Sequence, residues 1–239
     1  MRVAKWNTEW KVGPHGPIEK LSERVWRVEA GIPRMPMKRV MTIAKRASGG
    51  IVIHNGIALG DAEMSELEAL GPIEAIVVPN GYHRLDAKIF HDRYPSAQVL
   101  CPDGATKAVS QAVPVSSGYG QFAPDGAVEL VILDGTKERE GVMIVRDKDG
   151  TTLVFNDAVF NMPHISGVSG FVLKHITQST GGPRVSRLMR LFVVADKKAF
   201  RSHLERLADL PDLRRIVVSH HHVIDTDASA TLRAVAAKV

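Results

Sequence analysis

A chain of 239 residues, 44% hydrophobic and 24% charged, has apolar content for a large core and excludes a disordered or fibrous protein. Its net charge of +5 suits an anionic ligand, but the basic residues are spread along the chain and aromatics reach only 5%, so no nucleic-acid partner is expected. Met1 to Pro17 lacks a signal-peptide core, no run reaches the roughly 18 apolar residues of a membrane span, and Cys101 lies alone in the apolar run AQVLC, so a soluble cytoplasmic protein with no membrane partner is expected.

Residues 1–20, with their Trp, Lys and Gly-Pro punctuation, read as a loosely attached amino-terminal arm before a single domain spanning 21–239. RVWRVEA, KRVMTIAK and GGIVIHNG read as strands by alternation or β-branched runs, the last ending at Asn55-Gly56. Met64, Leu67 and Leu70 mark a helix from Asp61. EAIVVP then reads as a buried strand, Asp86 to Tyr94 as a helix stopped by Pro95, AQVLCP as a strand and GATKAVSQAV as a short helix.

VELVIL, GVMIVRD and TTLVFND read as consecutive strands, the last two joined by the hairpin signal Lys148-Asp149-Gly150. The Gly- and Ser-rich segment from Asn161 to Arg184 reads either as a substrate lid or as a plain surface loop. Val185, Leu188, Met189, Phe192 and Val193 have the spacing of an amphipathic helix, and Phe200, Leu204 and Leu207 mark another; Arg184, Arg187, Arg190, Lys197, Lys198 and Arg201 form their solvated faces. RRIVVS is the last strand, and ASATLRAVAAKV a closing helix capped near Asp225 or Thr226. Two strand-rich halves, each followed by helices, predict an α/β protein with two packed sheets and helices outside, a four-layer αββα sandwich.

Three predicted strands end in His or Asp: VVPNGYHRLD, LVFNDAVFNMPH and IVVSHHHVI. In layered α/β folds, ligands gather where strand ends converge. From Leu21 to Val223 this order resembles the metallo-β-lactamase fold superfamily, in which a strand leads to HxHxDH, a later strand ends in a metal-bridging Asp and a last strand ends in a His. The resemblance puts Asp157 in the place of the bridging Asp and His220 in that of the terminal His.

The first motif departs from the family pattern. Asn80 and Tyr82 stand where two His ligands belong, and Arg84 and Leu85 where an Asp-His pair belongs; a shifted match rescues only His83 and Asp86. No His lies from Ile132 to Arg146, where the family's middle His is expected, and His54-Asn55 replaces the common Asp and small residue. The chain is similar to a group of uncharacterised bacterial proteins in which Pro-Asn-x-x-His replaces the standard motif.

The resemblance thus implies one metal site rather than two, with His83, Asp157 and His220 holding a zinc, iron or manganese ion. Asp86 or His164 is a fourth ligand or a partner that orients an imidazole, and Asp86 and Asp157 are the carboxylates with a catalytic part. Asn80, Tyr82, His164 and His222 are further cleft candidates. Each has a plainer reading: Asp86 caps a helix, Asp157 bonds loop amides, and His164 is a polar loop residue. In an extended SHHHV segment, His220 and His222 face one side and His221 the other. The implied function is hydrolysis of an anionic ester, thioester, lactone or phosphodiester. The alternative is a metal-free member of the fold that binds a small molecule or a protein partner, with Asn80, Tyr82, His83 and Asp157 as a hydrogen-bonded polar cluster.

Overall fold

The computed structural model describes residues 6–33 and 35–239. Its first sheet carries β1 (Glu19–Lys20), β2 (Val25–Ile32), β3 (Met35–Lys45), β4 (Ile51–His54), then α1 (Asp61–Ala69), β5 (Ile73–Val77), α2 (Ala87–Arg93), β6 (Gln98–Cys101), α3 (Thr106–Val109) and β7 (Ser117–Gly118). The strands lie side by side in chain order, antiparallel from β1 to β4 and parallel from β4 to β7, because from β4 onward a helix returns the chain to the starting end of the sheet.

The second half carries β8 (Val128–Ile132), β9 (Gly141–Asp147), β10 (Gly150–Phe155), β11 (Phe160–Met162), α4 (Gly167–Phe171), β12 (Gly182–Arg184), α5 (Arg187–Phe192), α6 (Lys197–Ala208), β13 (Leu213–Val218) and α7 (Ala228–Ala236). The sheet order is β13-β10-β9-β8, with β10 and β13 parallel, while β11 and β12 make a separate two-stranded ribbon.

Alternation along the strands builds the layers. Ile51 and Ile53 of β4, with Ile76 of β5, pack under Met64, Leu67 and Phe90 of the first helical layer. Val52, Ala75 and Val77, from the opposite face, meet Met143, Val145 and Val154 of the second sheet. The outer face of that sheet, Val142, Ile144, Leu153 and Ile216, is covered by Met189, Phe200, Leu204 and Leu232. The predicted αββα order is therefore realised layer by layer.

Several local expectations change. The arm is not loose from Trp6 onward: Asn7 N–H donates to the Leu85 carbonyl (2.7 Å), and Trp10 donates to the Leu59 carbonyl (3.0 Å) and packs on Phe90. The Asn161–Arg184 segment is no plain loop, since it holds β11, α4, a wide helical turn over Val172–Ile176 and β12. On α5 only Met189 is buried, and Leu188 and Phe192 are exposed. Asp227, in the left-handed region, rather than Asp225 or Thr226, precedes α7, and it makes no side-chain cap bond.

Candidate metal centre

Beyond β5, Asn80 folds the chain back on itself. Its Oδ1 accepts from the backbone N–H of Tyr82 (2.8 Å) and of His83 (3.0 Å), an Asx turn that sets His83 over the strand end and leaves Tyr82 75% exposed. Its Nδ2 donates to Asp157 Oδ2 (2.8 Å) and to Glu140 Oε1 (2.5 Å). Asp157 and His220 each come two residues after the paired ends of β10 and β13, Phe155 and Val218, so these parallel strands deliver them side by side.

His83 Nε2 and His220 Nε2 each lie 3.2 Å from Asp157 Oδ1, and one ligating atom from each residue falls within 4.8 Å of the other two. Phe160 stacks on the His220 ring at 5.2 Å. The far sides of the rings fix their protons. His220 Nδ1 is 2.9 Å from the Lys38 carbonyl oxygen, which can only accept. His83 Nδ1 is 3.2 Å from Asn55 Oδ1, and the Asn55 amide is oriented by its own Nδ2 donating to the Val40 carbonyl (2.8 Å). Both Nδ1 atoms therefore carry hydrogen, and each ring turns its Nε2 toward Asp157, as a lone pair in the neutral form and as a donor in the protonated one.

Lone pairs from two rings and a carboxylate oxygen repel one another unless positive charge joins them. Either both imidazoles are protonated, or one cation is shared. Two imidazole nitrogens and one carboxylate oxygen, with the rings held from behind, make a donor set that fits a divalent ion with open positions. With the imidazoles protonated, charge on His83 and hydrogen bonds from His220 and His83 outweigh burial, which works to raise the Asp157 carboxyl, and hold the group well below the usual carboxylate range.

The other candidates do not join this cluster. Asp86, 2% exposed, accepts from Arg39 Nη2 (2.5 Å), Ala58 N–H (3.2 Å) and Asn7 Nδ2 (2.6 Å), and although it occupies the cap position of α2 it bonds none of that helix's amides. It ties the arm, β3 and the β4–α1 connection together. His164 Nδ1 pairs with Thr180 Oγ1 at 3.0 Å. His221 adopts a positive φ of 67°, which breaks the expected alternation: His220 turns inward, His222 faces solvent, and buried His221 accepts the Lys38 N–H through Nε2 (3.2 Å).

Glu140 was missed. In the run Lys137-Glu138-Arg139-Glu140 it reads as one more solvated charge, and only its place directly before the buried strand β9 hints otherwise. It is 1% exposed, and burial, reinforced by the Asp157 charge, pushes its carboxyl well above the usual range, while its Oε1 accepts from Asn80. His54 is buried with neither ring nitrogen partnered, and burial, with the charge of His83, lowers it to about 3.

Among solved structures the chain is similar to the metallo-beta-lactamase from Pontibacter korlensis, with TM-score 0.61, 12% identity, and coverage of 93% of this chain and 99% of that one. It is also similar to that from Erythrobacter litoralis, with TM-score 0.61, 11% identity, and coverage of 93% and 96%. The chain has the metallo-β-lactamase fold. No family model and no curated protein sequence matches it.

Proposed function

We propose that the protein is a mononuclear metal-dependent hydrolase whose ion is held by His83, Asp157 and His220. The observation that carries this reading is the pair of rings held through Nδ1, which turn two Nε2 atoms onto one oxygen of the Asp157 carboxylate. An ion of the zinc, iron or manganese class would act there as a Lewis acid and lower the pKa of a bound water toward roughly 7. The rest is work of the chain. The Lys38 carbonyl and Asn55 lock the rings, and Asn80 holds Asp157 Oδ2 so that Oδ1 faces them. The side chain of Asp157 is 21% exposed against 5% for His220, so the cluster opens to solvent at the carboxylate, where an ester, thioester, lactone or phosphodiester would arrive.

One ion suits the site better than two. Beside Asp157, the room for a second ion's ligands is taken by Asn80 and Glu140 bonded to each other, and neither an amide already used as a donor nor a buried carboxyl whose ionisation is disfavoured is a good ligand. Those same direct bonds favour the second reading, a metal-free polar cluster that binds a small molecule or a protein partner.

Metal content measured by plasma mass spectrometry on untagged protein, prepared without chelators, separates the two. The hydrolase requires about one ion per chain in the wild type and loss of that ion in Asp157→Ala. Far less than one, even after incubation with zinc and manganese, would leave the metal-free cluster.

A further inference from the structure

From Ala158 to Ala195 the chain contains no acidic residue, yet it carries Lys174, Arg184, Arg187 and Arg190. Among the described residues none of the four pairs with a carboxylate; Arg184 and Arg190 bond only carbonyl and amide oxygens. The same excursion exposes large apolar side chains. Val168, Phe171 and Val172 follow one another at i, i+3, i+4 spacing along α4 and its continuation, and Leu188, Leu191 and Phe192 do so on α5, with Phe171 61% and Phe192 70% exposed.

The inner sides of both segments are already packed. Leu173 lies against Met37, Phe160 and Met162, and Met189 joins the core beneath α6. The outer apolar residues are therefore outward stripes, one on each segment, not core stripes turned the wrong way. The segments are tied together: Arg187 N–H donates to the Thr177 carbonyl (2.8 Å), and Arg190 Nη2 donates to Gln178 Oε1 (2.8 Å). The excursion is anchored at the metal cluster, since it leaves through Phe160, which stacks on His220.

We propose that this face docks on an anionic phospholipid surface. Exposed Phe and Leu side chains interleaved with unpaired cations, and no carboxylate among them, match the boundary between acidic headgroups and acyl chains. A second copy is a poorer occupant, because a two-fold contact would set this cationic patch, with Lys174, Arg187 and Arg190, against the same cationic patch of the partner. No helix among the described residues is long and apolar enough to cross a membrane, so the contact is peripheral. The expectation of no membrane partner rested on the lack of spans, which says nothing about such a surface.

Co-sedimentation of the full chain with vesicles of phosphatidylcholine, with and without phosphatidylglycerol, tests the proposal. The protein should pellet with the phosphatidylglycerol vesicles at low salt, remain in the supernatant with phosphatidylcholine alone, and be released at high salt. Lys174→Gln and Arg187→Gln, both at exposed positions, should each weaken binding roughly five-fold. Phe171→Ser combined with Phe192→Ser should weaken it roughly ten-fold or more, with an unchanged unfolding midpoint; should that double variant fail to fold, the two Gln variants decide. The proposal is overturned by no pelleting at low salt, by equal pelleting with both vesicle types, or by binding that none of these substitutions moves. A dimer that dissolves in the Phe171/Phe192 variant would also overturn it and assign the face to a second copy. None of these readings depends on a bound metal.

Discussion

Glu140 and Asp157 share one hydrogen-bond donor, Asn80 Nδ2, yet are pushed in opposite directions, because burial and the Asp157 charge outweigh the hydrogen bonds that reach Glu140 whereas Asp157 faces two imidazoles. Glu140 thus serves as an acceptor that fixes Asn80, and through it Asp157. Glu140→Gln keeps such an acceptor and should bind metal like the wild type, while Glu140→Ala should lower metal affinity roughly 10–100-fold. Competition against a chelating dye reads this, and equal loss in both variants would mean that Glu140 acts as a carboxylate. His54 gives a pH dependence. It titrates at about 3 when folded and at roughly 6.5 when unfolded, so between these values only the unfolded chain takes the proton. Stability is therefore lost as pH falls from about 6.5 toward 3, at up to about 1.4 kcal/mol per pH unit. His221, brought down to about 4 chiefly by burial, adds in the same direction. Urea unfolding across this range should show His54→Leu with a shallower acid loss; an identical slope would place that loss elsewhere. His83, Asp157 and His220 were legible in the sequence because each closes a predicted strand, whereas Glu140 and the role of His54 depend on burial, which a lone residue between charges or at a strand end does not reveal.

Elements rather than single groups explain Asp86. It looked like a helix cap or a catalytic carboxylate, but it pairs with Arg39 of β3, the Ala58 amide and Asn7, none of which belongs to the Asp157 cluster. Breaking this buried pair by Asp86→Asn should cost roughly 3 kcal/mol or more while leaving metal stoichiometry intact. Asp196 is the contrasting case: its side chain caps α6 by accepting from the Ala199 amide (2.9 Å), so Asp196→Ala should cost only about 1 kcal/mol. Denaturant midpoints with metal analysis of the same samples test both, and metal loss in Asp86→Asn would return that residue to the site. The short apolar runs of β4, β5 and β9 were legible as strands because both faces of each are buried against named layers. The stripe on α5 was read correctly as periodic and wrongly as core, since periodicity shows that apolar residues share a face and not whether anything covers it. The SHHHV alternation failed because the positive φ at His221 turns a chain that would otherwise stay extended.

At the scale of the whole molecule, the cluster joins the two halves of the sandwich. His83 follows β5 of the first sheet, while Asp157 and His220 follow β10 and β13 of the second. The layers do not need that link to form, because each sheet has its own helical cover and the two share an apolar interface. An ion bound across them should therefore act as a clamp added to a fold that already exists. At about a hundred times its dissociation constant it should stabilise the protein by about 2.7 kcal/mol, which for a chain of this size raises Tm by roughly 5–10 °C. Scanning calorimetry of chelator-treated protein, with and without added zinc or manganese, should show that rise in the wild type and none in Asp157→Ala, with the apo wild type still unfolding cooperatively. A rise that survives in Asp157→Ala would put the ion at another site. No rise with either metal, together with a cooperative apo transition, would mean that the halves are joined at this point by the direct bonds of Asn80 to Glu140 and Asp157 alone.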